Sequence, residues 1–211
     1  MTTVSTPVRI DGGSQPLTFI FAHGAGADMD HEFMATVAKG VAEHGIRVVR
    51  FNFPYMVKRA EDGKRRPPDR APKLLEAFEA VIAEHATGPV VIGGKSMGGR
   101  MASLLSAHPQ VAGIACLGFP FHPPGKPEKF KGDHLADIDT PMLILQGERD
   151  TFGTQLECAT FSFSPSVSLA FLPDGDHSFK PRKSSGHTET QNIALAVEQL
   201  SQFILEVYDA K

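Results

Sequence analysis

Six short apolar runs, set apart by stretches with helical spacing, constrain this 211-residue chain more than any other feature. They cover residues 17–22, 46–53, 89–92, 111–117, 141–145 and 167–172. Each is apolar nearly throughout rather than alternating, which predicts strands covered on both faces and therefore a parallel sheet. Between the runs, Phe33, Met34, Val37 and Val41 share one helical face that Gly45 closes. Leu74, Leu75, Phe78, Val81 and Ile82 recur at helical spacing until Thr87-Gly88-Pro89, and Met101, Leu104 and Leu105 do so before Pro109. A last helix opens on the capping-box pattern Thr188-Glu189-Thr190-Gln191 and carries Ile193, Val197, Leu200 and Ile204 on one stripe. Such alternation specifies an α/β fold, with a mostly parallel central sheet of about six to seven strands and helices on both faces. The chain reads as one domain over 1–211, in which 1–15 form an amino-terminal extension or, through 8–10, an edge strand.

Composition narrows the partners. A net charge of −3 gives no general reason to expect nucleic acid or an acidic membrane surface. No apolar run reaches membrane-spanning length, and residues 1–13 lack the apolar segment of a signal peptide, so no membrane insertion and a cytoplasmic setting are expected. Two cysteines do not make a disulfide framework. Cys116, inside Ile114-Ala115-Cys116-Leu117, is expected to be a buried, inert thiol.

Gly94-Lys95-Ser96-Met97-Gly98 matches G-x-S-x-G, with an apolar run leading in and a helix-period stretch leading out. That layout suits a serine on a tight strand-to-helix turn, exposed above the sheet edge, with glycines on either side admitting neighbouring chain. The same residues also spell the end of a phosphate-binding loop, G-x-x-x-x-G-K-[ST]. That motif needs glycine where the chain has Pro89, and a loose glycine loop where it has Val90-Val91-Ile92. An apolar strand cannot wrap its amides around phosphates, so the nucleotide reading fails.

A serine hydroxyl needs a base to take its proton and a third group to orient that base. Asp150 follows the run 141–145 and His177 follows 167–172, so both fall at strand ends, in the order serine, acid, histidine. Glu148 is the substitute acid. His122, His134 and His187 are rival bases, read as solvated loop histidines. Two backbone N–H groups are expected to bind the oxyanion: Met97, after the serine, and Ala25 in the turn His23-Gly24-Ala25-Gly26. His23 is read as shaping that turn. With Lys95 and Phe119, it is also a candidate for touching substrate.

With this turn, the serine elbow, Asp150 and His177 in order, the chain resembles the α/β-hydrolase superfamily. It looks most like the small dienelactone-hydrolase-like members and their testis-expressed-protein-like branch, for which His177-Ser178-Phe179 before a basic stretch is a further detail. The resemblance implies an α/β-hydrolase fold and hydrolysis of an acyl ester or thioester of a small molecule through a covalent acyl-enzyme. It implies no metal or organic cofactor. The chain departs from larger members in having a Pro-rich loop, 118–140, in place of a helical cap, hence a minimal lid and an open site.

A basic loop at 54–73, together with Lys95, Lys180, Arg182 and Lys183, offers a cationic rim for an anionic acyl substrate; the competing reading is solvated charge. A monomer or small homo-oligomer is expected. The alternative from another class is a non-catalytic interaction module that retains the fold.

Overall fold

A computed structural model of the protein describes residues 5–14 and 16–211. Of the amino-terminal segment 1–15, residues 1–4 and 15 therefore lie outside the described residues. Seven strands form one sheet among the described residues: β1 (Val8–Asp11), β2 (Thr18–Ala22), β3 (Arg47–Phe51), β4 (Val90–Lys95), β5 (Val111–Leu117), β6 (Met142–Gly147) and β7 (Val167–Leu172). Their order is β1-β3-β2-β4-β5-β6-β7. Every neighbouring pair is parallel except β1 on β3, so residues 8–10 do supply the edge strand.

The helices are α1 (Glu32–Ala42), α2 (Pro54–Asp62), α3 (Ala71–His85), α4 (Met97–Leu104), α5 (Gln155–Cys158) and α6 (Glu189–Asp209). Strand side chains alternate between the two faces, and this splits the core in two. Ile20, Val49 and Ile92 pack beneath α3 and α4, with Phe78, Ile82 and Met101. Phe19, Phe21 and Val91 pack beneath α1 and α6, with Val37 and Leu200. The capping box at Thr188 forms as its residue types require, with the Thr188 side chain and the Gln191 side chain each bonded to the other's backbone. Strand β7 differs from the expectation of two covered faces. It is the sheet's far edge, and Ser168 is exposed there.

The basic segment 54–73 is not a loop throughout. Pro54 stands at the first helical position, Gly63 closes α2 in the left-handed conformation, and 71–73 are the first turn of α3. Only Tyr55 and Met56 of α2 are buried, too few to show as periodicity beside its charges. The 118–140 segment is irregular apart from one 3-10 turn, Asp133–Ala136. It is held down by aromatic packing, with Phe121 against Phe161 at 5.0 Å and Phe130 against Phe161 at 4.6 Å between ring centroids. No helix among the described residues is long and apolar enough to cross a membrane.

Candidate active site

Strand β4 runs directly into Ser96, whose backbone lies at φ 50° and ψ −115°. A non-glycine residue with positive φ costs about 1–3 kcal/mol, and the turn around it has to be unusually close to hold it there. A Cβ on Gly94 would fall 2.4 Å from the Gly98 carbonyl carbon, and one on Gly98 only 2.5 Å from the His23 carbonyl oxygen. Both glycines are thus required by backbone on the other side. Gly99 has the same constraint from a side chain: a Cβ there would meet Cys116 Sγ at 2.1 Å. Cys116 is buried, and burial pushes its thiol well above the usual range, so it stays protonated.

The loops after β6 and β7 bring the other two groups to this turn. His177 Nε2 lies 2.8 Å from Ser96 Oγ, and His177 Nδ1 lies 2.8 Å from Asp150 Oδ2. Asp150 is 0% exposed, so its carboxylate depends on partners inside the protein. Its second oxygen accepts the Phe152 N–H at 2.8 Å, which fixes the carboxylate plane. Glu148 is engaged elsewhere: its carboxylate accepts the Asp174 N–H at 2.7 Å.

The rival histidines have other surroundings. His122 is buried, not solvated; its ring bonds the Pro123 carbonyl and Glu157 Oε1, each at 2.8 Å. Burial lowers its pKa, but those two hydrogen bonds outweigh burial and hold it above the ordinary value. His134 Nε2 sits 2.7 Å from Ser103 Oγ. That serine is inside α4, its hydroxyl donates to the Arg100 carbonyl at 2.6 Å, and no carboxylate hydrogen-bonds His134. His187 is exposed.

The turn after β2 lies against the elbow. A Cβ on Gly24 would be 3.4 Å from the Lys95 carbonyl oxygen and 3.7 Å from Ser96 Cβ. Two buried groups brace this turn. His23 Nε2 accepts the Phe53 N–H at 3.0 Å, which leaves Nδ1–H to donate to the Gly24 carbonyl at 2.6 Å. Burial pushes the pKa of His23 down to about 4, so it is neutral at pH 7. The Tyr55 hydroxyl donates to the Ala25 carbonyl at 2.8 Å. Among the described residues, neither the Ala25 nor the Met97 N–H donates to another group of the chain.

Three candidates for substrate contact need correction. His23 and Phe119 are both 0% exposed and cannot touch a ligand at this surface. Phe119 packs on Phe121 with centroids 4.7 Å apart, and its amide donates to Gln146 Oε1 at 2.8 Å. The Lys95 ammonium turns inward, donating to the His177 carbonyl between the Phe33 and Phe179 rings. Some of the basic side chains of the expected rim are also engaged. Arg182 is bound by Asp174, Arg66 by Asp62 and Lys73 by Asp69. The sequence reading missed Phe152, whose ring stacks on His177 at 4.1 Å between centroids. Its only signal is its place two residues after Asp150. Among the described residues no three His, Cys, Asp or Glu side chains gather as metal ligands do.

Known proteins share this architecture. An α/β serine hydrolase homologue from Coxiella burnetii is 20% identical, with a TM-score of 0.67 over 92% of this chain and 89% of that one. A serine hydrolase without a lid from Xanthomonas campestris is 19% identical, with a TM-score of 0.63 over 96% and 88%. Est1E from Butyrivibrio proteoclasticus, in a structure with ferulic acid bound, is 18% identical, with a TM-score of 0.70 over 97% and 96%. Residues 15–205 match the family described as the alpha/beta hydrolase domain, and at that coverage the chain belongs to the α/β-hydrolase family.

Proposed function

We propose that the chain is a serine hydrolase that cleaves a carboxylic ester or thioester of a small molecule through an acyl-enzyme on Ser96. One observation carries this reading: the His177 imidazole stands between the Ser96 hydroxyl and the buried Asp150 carboxylate at hydrogen-bond distance from each. Asp150 holds Nδ1–H, which leaves the Nε2 lone pair directed at the serine proton. The serine oxygen attacks the acyl carbon as its proton passes to Nε2. The imidazolium then protonates the departing alkoxide or thiolate, and the acyl group stays on Ser96. Water repeats the sequence: His177 takes its proton, hydroxide attacks the acyl carbon, and the carboxylic acid leaves as Ser96 regains its proton.

The tetrahedral oxyanion falls to the Met97 and Ala25 N–H groups, which lie on the two adjoining turns and have no acceptor among the described residues. One such donor contributes roughly a hundred- to a thousandfold in rate. The steps as written draw on no cofactor. Similarity to Est1E, whose structure holds ferulic acid, and to the lid-less hydrolase favours small esters reached through an open mouth.

Labelling by a fluorophosphonate probe and the acyl burst with p-nitrophenyl acetate test the assignment. Ser96→Ala should abolish both, whereas Ser103→Ala, at the other serine–histidine contact, should leave both intact. Undiminished labelling of Ser96→Ala puts the nucleophile elsewhere and refutes the reading, whereas a wild type that neither labels nor bursts favours a scaffold role. Acyl esters and thioesters of graded length then define the substrate.

A further inference from the structure

The inward-turned ammonium beside Ser96 is not used by the chemistry above. Lys95 is the last residue of β4 and immediately precedes Ser96. The side chain is half-buried, and its Nζ donates to the main-chain carbonyl of His177, 82 residues further along the chain. The Phe33 ring centroid is 5.4 Å from Nζ and that of Phe179 5.9 Å, so an aromatic residue before the site and one after it hold the cation. Gly118 completes the enclosure, since a Cβ there would meet Nζ at 2.9 Å and His177 Cε1 at 3.3 Å. A strongly hydrated ammonium is a costly group to enclose if its only task were filling space, for which leucine or methionine is available.

We infer that Lys95 is a positioning residue of the hydrolase: it ties the backbone of the general base to the strand end that carries the nucleophile, so that Ser96 Oγ and His177 Nε2 keep their separation through turnover. This rests on the serine-hydrolase reading above. The loop around His177 has no regular structure, with Phe179 at a positive φ of 67°, and its path rests on separate bonds: Asp176 N–H to the Lys180 carbonyl, Phe179 N–H to the Asp176 carbonyl, and the Asn192 amide to the Phe179 carbonyl. Among the described residues these bonds fix the neighbours of His177, and the Lys95 ammonium is the group that takes the carbonyl of His177 itself. The carboxylates facing the ammonium are Asp150, behind the imidazole, and Asp176, next to it in the chain; the Cys116 thiol lies on the β5 side. Burial pulls the Lys95 pKa down to about 8 against the pull of these groups.

The test compares wild type, Lys95→Met and Ser96→Ala on p-nitrophenyl acetate, with spontaneous hydrolysis subtracted, from pH 6 to 10. Methionine keeps the length and apolar body of the side chain and removes the donor. Lys95→Met should lower kcat at least tenfold at pH 7 with KM within about twofold, because the tether touches the base and not the substrate. Wild type should show a fall in kcat centred near pH 8, as the ammonium becomes a weaker neutral donor, and Lys95→Met should lack it. The wild-type profile needs no substitution, so it stands even if the variant fails to fold. A wild-type rate that stays level up to pH 10, or a folded Lys95→Met with kcat within twofold of wild type, overturns the inference alone. Turnover that survives in Ser96→Ala overturns the serine-hydrolase reading and the inference with it.

Discussion

Replacing His23 by glutamine isolates one term in the acid stability of the turn that supports the proposed oxyanion site. In the folded protein burial holds His23 at about 4, against 6.5 for the exposed side chain. The unfolded chain therefore binds a proton below pH 6.5 that the folded chain refuses until near pH 4, and stability falls with falling pH across that window. It is fully present above the unfolded pKa and is lost progressively below it. Between pH 7 and 5 the loss is about 2 kcal/mol, and by pH 4 it approaches 3 kcal/mol. Glutamine offers an acceptor to the Phe53 N–H but does not titrate, so His23→Gln should be less stable than wild type at pH 7 and lose less on acidification. Urea unfolding of both proteins at pH 7, 6, 5 and 4 measures this, and the difference in pH dependence cancels the contributions of His85 and His134, which burial also holds below their ordinary values. Parallel stability curves for the two proteins would show that His23 protonates as readily folded as unfolded, and the account of the braced turn would fail.

Two further substitutions follow from the site's packing. Gly98→Ala puts a methyl 2.5 Å from the His23 carbonyl oxygen, so the elbow and the His23–Gly26 turn must separate; overpacking costs about 1–3 kcal/mol, and misplacing the proposed reacting groups by an ångström lowers kcat on the order of a hundredfold, read by thermal unfolding and esterase assay. Phe152→Ala removes the ring stacked on His177 while keeping the amide that binds Asp150; a contact of about 0.5–1.5 kcal/mol predicts a two- to tenfold fall in kcat, with no comparable fall in fluorophosphonate-reactive fraction at saturation.

The features legible in sequence are those that local chemistry determines alone. Runs such as 89–92 and 111–117 are apolar because both faces of β4 and β5 are buried, so their strand character and parallel pairing follow from composition. Ser96, Asp150 and His177 could be placed at strand ends because the runs before them end abruptly in glycine or acidic turns. What escaped depends on the path of a side chain after folding. Lys95 and Phe119 occupy promising positions, yet one ammonium turns inward and one ring joins the core. His122 looked solvated among prolines and lysines, but Glu157, 35 residues on, draws it into a buried contact. Helix α2 went unread because its charges mask a two-residue buried face, and its start and stop rest on Pro54 and Gly63 alone. Phe152 carries no mark at all, since stacking on an imidazole is a matter of rotamer.

The aromatic clamp under the 118–140 segment has a consequence for how such a protein acquires new specificity. Phe121 and Phe130 stack with centroids 6.2 Å apart, so the exposed stretch between them leaves the body of the protein and returns to it at nearly the same point. Closing a longer excursion from ends already held together costs little, because loop entropy grows only with the logarithm of length. The His122 N–H also donates to the Phe152 carbonyl, which ties this doorway to the residue whose ring stacks on His177. The scaffold thus carries a ready splice point beside its chemistry, where an added module would roof the cleft while β4, β6 and β7 kept their registers.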